Sequence, residues 1–81
     1  IDDLSKKVIK DFTSEYENLS ALSREALEPI IKSLIDKHKT NFKGVGQPIR
    51  IALVGSRFGP GIYDVILSLD KSEVIKRLKQ I

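Results

Sequence analysis

Three glycines, Gly55, Gly59 and Gly61, follow the apolar run IRIALV in the segment PIRIALVGSRFGPGIYD, residues 48–64. A buried strand feeding a glycine-rich turn is how phosphate-binding domains begin, because the turn's backbone N–H groups cradle the anion. A Walker loop also needs Gly-Lys-Ser/Thr at its end, the lysine for phosphate and the hydroxyl for magnesium. Here GSRFGPG runs straight into Ile62 and Tyr63. The dinucleotide fingerprint needs G-x-G-x-x-G between strand and helix; these glycines have a different spacing and no second strand is evident. Both readings are excluded. Other chemistry is equally thin. Cysteine is absent, which removes disulfides, thiolate metal sites and cysteine nucleophiles. His38 is the single histidine, has no Asp/Glu/His set at ligand spacing and reads as a helix-end residue. No catalytic or metal-binding residue is assigned.

The same glycines and prolines read better as helix punctuation. Pro48 suits the first turn of a helix, where its missing N–H is not needed. Ile49, Ala52 and Leu53 then form one apolar stripe. Gly55 suits a left-handed C-terminal cap, residues 56–59 an exposed turn, and Pro60 the start of the next helix, with Gly61 allowing close packing in its first turn. That turn presents Arg57 and Phe58 side by side. A guanidinium next to an aromatic ring can stack on unpaired bases.

These elements need a scaffold, and helical periodicity supplies it. Leu4, Val8, Ile9, Phe12, Tyr16 and Leu19 recur every three or four residues, predicting an amphipathic helix over about 2–19. Asp2 and Asp3 suit its positive end. Ser23 is a candidate N-cap, with Glu25 behind it. Leu27, Ile30, Ile31, Leu34 and Ile35 continue to about residue 39, with Pro29 inside the pattern as a possible kink. Asn41, Gly44 and Gly46 predict a loop over 40–47. Ile62, Val65, Ile66 and Leu69 fall at i, i+3, i+4 and i+7, again a helix. Asp70 and Glu73 read as an acidic capping-box variant opening a last helix, whose apolar face is Val74, Ile75, Leu78 and Ile81.

With 81 residues the chain is one small domain (residues 1–81), 41% apolar and 31% charged, ordinary for a soluble globular protein. Nothing approaches the run of about 20 apolar residues that a membrane span needs, and the N-terminus lacks signal-peptide features; a cytoplasmic location is expected. Methionine is absent even at position 1, so the chain is expected to be a piece excised from a longer protein. The net charge of +3 is uneven. Residues 1–28 carry four basic against seven acidic side chains, and residues 29–81 carry ten against four. That asymmetry fits one side facing a polyanion, and fits a solvated lysine-rich surface equally well.

Three pieces in order, PIRIALVG, then GPGIYDVI, then KSEVIKRL, resemble the C-terminal anticodon-binding domain of bacterial-type glutamyl-tRNA synthetases, which are class I aminoacyl-tRNA synthetases. That family carries Pro-hydrophobic-Arg-x-Ala-Leu-Thr-Gly, a Gly-Pro, and a closing Gly-Lys-Glu…Arg-Leu helix. The match runs over about 22–81, and the helix over 1–19 fits the family's lead-in to the anticodon-binding subdomain at 23–81. The resemblance implies an all-α bundle of about four to five helices that holds the anticodon loop of tRNA-Glu. Arg50 matches the motif arginine and is expected to contact anticodon bases. Arg57, Phe58, Gly59 and Ile62 fall where the family's loop and following helix approach them. Lys43, Lys71, Lys76 and Arg77 are expected on the phosphate backbone. The resemblance also implies a parent ligase that uses ATP and magnesium in a catalytic domain elsewhere, no cofactor in this chain, a monomer, and contact with the rest of its own chain. Val54 departs from the usual threonine, which puts one polar contact in doubt. Asp70 departs from the usual glycine, which implies a changed turn.

Plainer readings stand beside these. Arg50 could snorkel from its helix or pair with Asp64, Phe58 could pack beneath its loop, Tyr63 could be core-edge packing, and the lysines could form a solvated face. A helical protein-interaction domain with a basic face is the alternative function. A helix-turn-helix DNA reader ranks last, because IYDVILSL is too apolar to lie in a groove.

Overall fold

The computed structural model describes residues 2–56 and 58–81 and contains five helices among them: α1 (Asp3–Glu17), α2 (Arg24–Lys37), α3 (Phe42–Val54), α4 (Ile62–Ser68) and α5 (Lys71–Lys79). The all-α expectation holds. IRIALV is the C-terminal part of a helix and no strand occurs among the described residues.

Local chemistry starts the first two helices, with Ser23 as the expected N-cap and Asp2 capping where only favourable charge was expected. The Asp2 carboxylate accepts from Ser5 N–H at 2.8 Å and the Ser23 hydroxyl accepts from Ala26 N–H at 3.1 Å, each satisfying a donor that the helix leaves unpaired. Val8, Ile9, Phe12 and Tyr16 of α1 are buried together with Leu27, Ile30, Ile31 and Leu34 of α2. α1 packs on α2, α3 and α5, and α3 packs on α4 as well. The helix at the start of the chain is therefore part of one shared core.

Four expectations are corrected. Residues 40–47 are not a loop: α3 begins at Phe42, capped by Asn41, whose Oδ1 accepts from Gly44 N–H at 2.7 Å. Pro48 accordingly lies in mid-helix and is buried. Packing outweighs the helix penalty of these residues. A Cβ on Gly44 would overlap Thr40 Oγ1, and one on Gly46 would lie 3.8 Å from Phe42 Cε1 and 3.9 Å from Ile62 Cβ. Gly44 thus lets Thr40 approach α3, whereas a Cβ at Gly46 would make only ordinary contacts, and Val45 between them is driven into the core. Pro60 does not open α4; the helix starts at Ile62, with Gly61 as N-cap. Asp70 holds the N-cap position of α5 but makes no capping hydrogen bond, and Glu73 turns to Arg77 Nε at 2.9 Å. A charge-assisted bond one turn away wins over the reciprocal box.

α1 and α2 are fastened by one carboxylate. Asp11 Oδ2 lies 2.9 Å from Lys37 Nζ and accepts from His38 Nε2 at 2.9 Å. The hydrogen bond from Lys37, then that from His38, hold the Asp11 carboxyl below its ordinary range, against the opposing effect of its partial burial. A depressed folded-state pKa favours the folded chain above the unfolded value of about 4, and that contribution disappears as pH falls through the folded value. Thermal melts of the wild type and Asp11→Asn across pH 2–7 test this. The wild type is expected to be the more stable at pH 6, and the gap is expected to close below about pH 4.

Candidate nucleic-acid interface

The C-terminal end of α3, the turn at 55–61 and the start of α4 form one exposed corner. Gly55 ends α3 with φ 69° and ψ 16°, and its N–H still reaches Ile51 O at 2.9 Å. Gly59 has φ 133°, a conformation that side chains with a Cβ rarely adopt. Between them the Ser56 hydroxyl accepts from Phe58 N–H at 3.1 Å and donates to Phe58 O at 3.2 Å, closing a small ring in the turn. Phe58 is 85% exposed and does not pack inward. Arg57 lies outside the described residues.

Arg50 is half-buried on α3, and its Nη1 donates to Pro60 O. The side chain therefore bridges α3 to the turn. A Cβ on Gly59 would lie 3.7 Å from the same Nη1, so the turn's backbone runs close beneath the guanidinium. Arg50 makes no ion pair with Asp64 among the described residues. A guanidinium has five N–H donors. One donates to Pro60, and the others form no hydrogen bond among the described residues. Arg50 also lines a cavity of about 180 Å³ with Phe42, Lys43, Gln47 and Ile62. Ile62 is 2% exposed and packs into the core, so it acts as the cavity's floor.

The basic residues divide into two kinds. Lys71 Nζ donates to Leu19 O at 2.6 Å and Glu17 O at 3.2 Å, tying the start of α5 to the end of α1. Arg77 donates through Nη1 to Leu53 O at 2.6 Å and through Nε to Glu73, tying α5 to the end of α3. Both place positive charge at a helix C-terminus, where it is favourable. Lys43 and Lys76 are exposed and form no ion pair among the described residues. Tyr63 is half-buried. Arg24 lies 4.9 Å over its ring and Phe42 packs against it at 6.0 Å. Burial and the nearby Glu28 carboxylate push the Tyr63 phenol above its ordinary range. Phe42 and Arg24 were not singled out from sequence; recognising Asn41 as an N-cap would have put Phe42 at the start of a helix.

A family model described as the anticodon binding domain matches residues 1–81. The chain belongs to this anticodon-binding domain family. The domain is 56% identical over 78 residues to a glutamate–tRNA ligase of Pelagibacter ubique (strain HTCC1062), covering 96% of this chain and 17% of that protein. It is 37% identical over 62 residues to glutamate–tRNA ligase 1 of Syntrophus aciditrophicus (strain SB), covering 76% and 13%. It is 37% identical over 76 residues to a glutamate–tRNA ligase of Anaeromyxobacter sp. (strain K), covering 94% and 16%. The chain spans less than a fifth of the length of these relatives. No solved structure matches it. No described helix of this anticodon-binding domain is long and apolar enough to cross a membrane.

Proposed function

We propose that this anticodon-binding domain reads the anticodon loop of tRNA-Glu for a glutamate–tRNA ligase, whose ATP- and magnesium-dependent chemistry belongs to another part of that protein. One observation carries the reading: Arg50, whose one described hydrogen bond goes to Pro60, lines a small cavity beside an exposed aromatic residue, Phe58. Unpaired loop bases can be splayed against such a corner and read on their edges. Arg50 recognises a base edge by a fork of hydrogen bonds, and a wrong base leaves part of that fork unpaired, which is the costly outcome. Phe58 offers a stacking face. Lys43 and Lys76 hold phosphates, which positions the strand without reading it. Lys71 and Arg77, committed to backbone carbonyls, serve the phosphate path only through the positions of the helices they fasten.

The test is an NMR titration of the 81-residue chain with a tRNA-Glu anticodon stem-loop and a scrambled-anticodon control, at low and moderate salt. Shifts centred on Arg50 and residues 56–62, stronger for the cognate loop, support the reading. Equal shifts that moderate salt erases mean charge attraction alone, and a protein-interaction role then gains. The lysine assignment has its own expected result. Lys43→Ala and Lys76→Ala should each flatten the slope of log K against log salt by about 0.7, the value for one contact on a single strand. Lys71→Met and Arg77→Met should lower the melting temperature. Fluorescence anisotropy over a salt series, together with thermal melts, separates the two pairs.

A further inference from the structure

Phe42 is 49% exposed at the first position of α3, yet its ring is held in place. Gly46, one turn on, lies against the ring: a Cβ there would be in ordinary contact, 3.8 Å from Phe42 Cε1. Tyr63 supports its side, with ring centroids 6.0 Å apart and planes at 53°. Tyr63 is steadied in turn by the Arg24 guanidinium over its ring, and Arg24 by Glu28 Oε1 at 2.9 Å. Side chains from α2, α3 and α4 thus fix one half-exposed aromatic ring that the core does not require. Phe42 also forms the wall between two depressions. On one side is the cavity of about 180 Å³ that holds Arg50. On the other is a groove of about 370 Å³, lined by Arg24, Glu28, Ile31, Lys32, Ile35, Phe42 and Tyr63, in which Glu28 is paired with Arg24 and Lys32 forms no ion pair among the described residues.

We propose that Phe42 is a stacking platform for one unpaired base of the bound RNA, next along the strand from the base held at Arg50. This rests on the anticodon-reading role proposed above. Three features favour a nucleobase as the occupant. The platform is continuous with the Arg50 cavity through the same ring. The ring is flat, braced by Tyr63 and 49% exposed, which suits stacking on a base of any kind. Lys32 and Lys43 stand in the groove and the cavity that flank it, where a phosphate on either side of a stacked base meets positive charge. Because stacking tolerates any base, Phe42 contributes affinity and strand path, while Arg50 contributes choice of base.

Anisotropy titrations of the full-length protein carrying this chain, with anticodon stem-loops made abasic at one loop position at a time, test the platform. Phe42→Ala is expected to weaken the intact loop about 5- to 10-fold, the low end for one stacked base. Phe42→Leu keeps apolar bulk against Tyr63 but has no π-face, so it should lose nearly as much; Phe42→Tyr should restore binding. One abasic position should cost the wild type the same factor and cost Phe42→Ala nothing further. Wild-type affinity in Phe42→Ala and Phe42→Leu, or a Phe42→Ala loss that is the same for every abasic loop, overturns the platform. If Arg50→Ala still removes cognate preference in that case, the anticodon reading stands without it. If the wild type shows no cognate preference while one position couples to Phe42, the reading fails and the platform stands. Absence of any binding overturns both.

Discussion

Arg50→Ala is expected to weaken binding of the cognate anticodon stem-loop by about 10- to 100-fold, the worth of hydrogen bonds to a charged group. The scrambled loop should lose far less, so the preference between the two collapses. The fold should survive, because Arg50 lies outside the core cluster and its one described hydrogen bond is to the turn. Losing that bond frees Pro60 O, which stands at an exposed position and can turn to water. Arg50→Lys distinguishes two roles. Lysine keeps the charge but is a point donor without the planar fork. If it restores cognate preference, Arg50 acts by charge. If it restores only part of the affinity and none of the preference, the fork reads a base edge. Paired titrations of both loops, with the core amide resonances as a fold control, give the answer. Wild-type affinity and preference in Arg50→Ala would make the residue a tether for the turn and remove it from the interface.

The physical origin of each residue's position decides how far the sequence reveals it. α1, α2 and α5 are amphipathic, so their apolar period is visible in the chain itself, and Asp2 and Ser23 announce their helices with a local hydrogen bond. The turn at 55–59 was legible because a left-handed residue after an apolar stripe calls for glycine, and Gly55 has φ 69°. The first half of α3 was not legible. Gly44, Gly46 and Pro48 carry a strong local signal against helix, and what overrides it is the packing of α3 on α1, α2, α4 and α5, which buries Val45, Gly46, Pro48 and Ile49. The site divides along the same line. Phe58 could be placed at the corner because caps and turns define it, whereas Arg50 was assigned there through the family resemblance. Lys71 and Arg77 looked like surface charge because their carbonyl partners are 52 to 54 and 24 residues away, a separation that no periodicity encodes. Ile62 satisfied two patterns at once, the reading corner and the apolar stripe of α4. Its burial places the side chain in the core.

The second large effect belongs to α1, which carries none of the residues proposed for the interface. Phe12 is fully buried and stacks on Tyr16, with centroids 5.6 Å apart and planes at 24°. Truncating a buried phenylalanine costs about 3–5 kcal/mol, part transfer and part cavity. A chain of 81 residues has about 4–12 kcal/mol of stability in all, at 0.05–0.15 kcal/mol per residue. Phe12→Ala is therefore expected to lower the melting temperature by about 12 °C or more, at 4–8 °C per kcal/mol, and to leave the chain largely unfolded if the wild type is near the low end. Phe12→Leu, which keeps most of the volume, should recover more than half of the loss. Thermal and urea melts followed by circular dichroism measure both. Binding should follow the folded fraction: at a temperature where Phe12→Ala is still folded, its affinity for the stem-loop should equal that of the wild type, because α1 acts on Arg50 only by supporting α3. A melting temperature within about 3 °C of the wild type, less than 1 kcal/mol on that scale, would mean that α1 is a detachable lead-in and that α2 to α5 hold the reading corner by themselves.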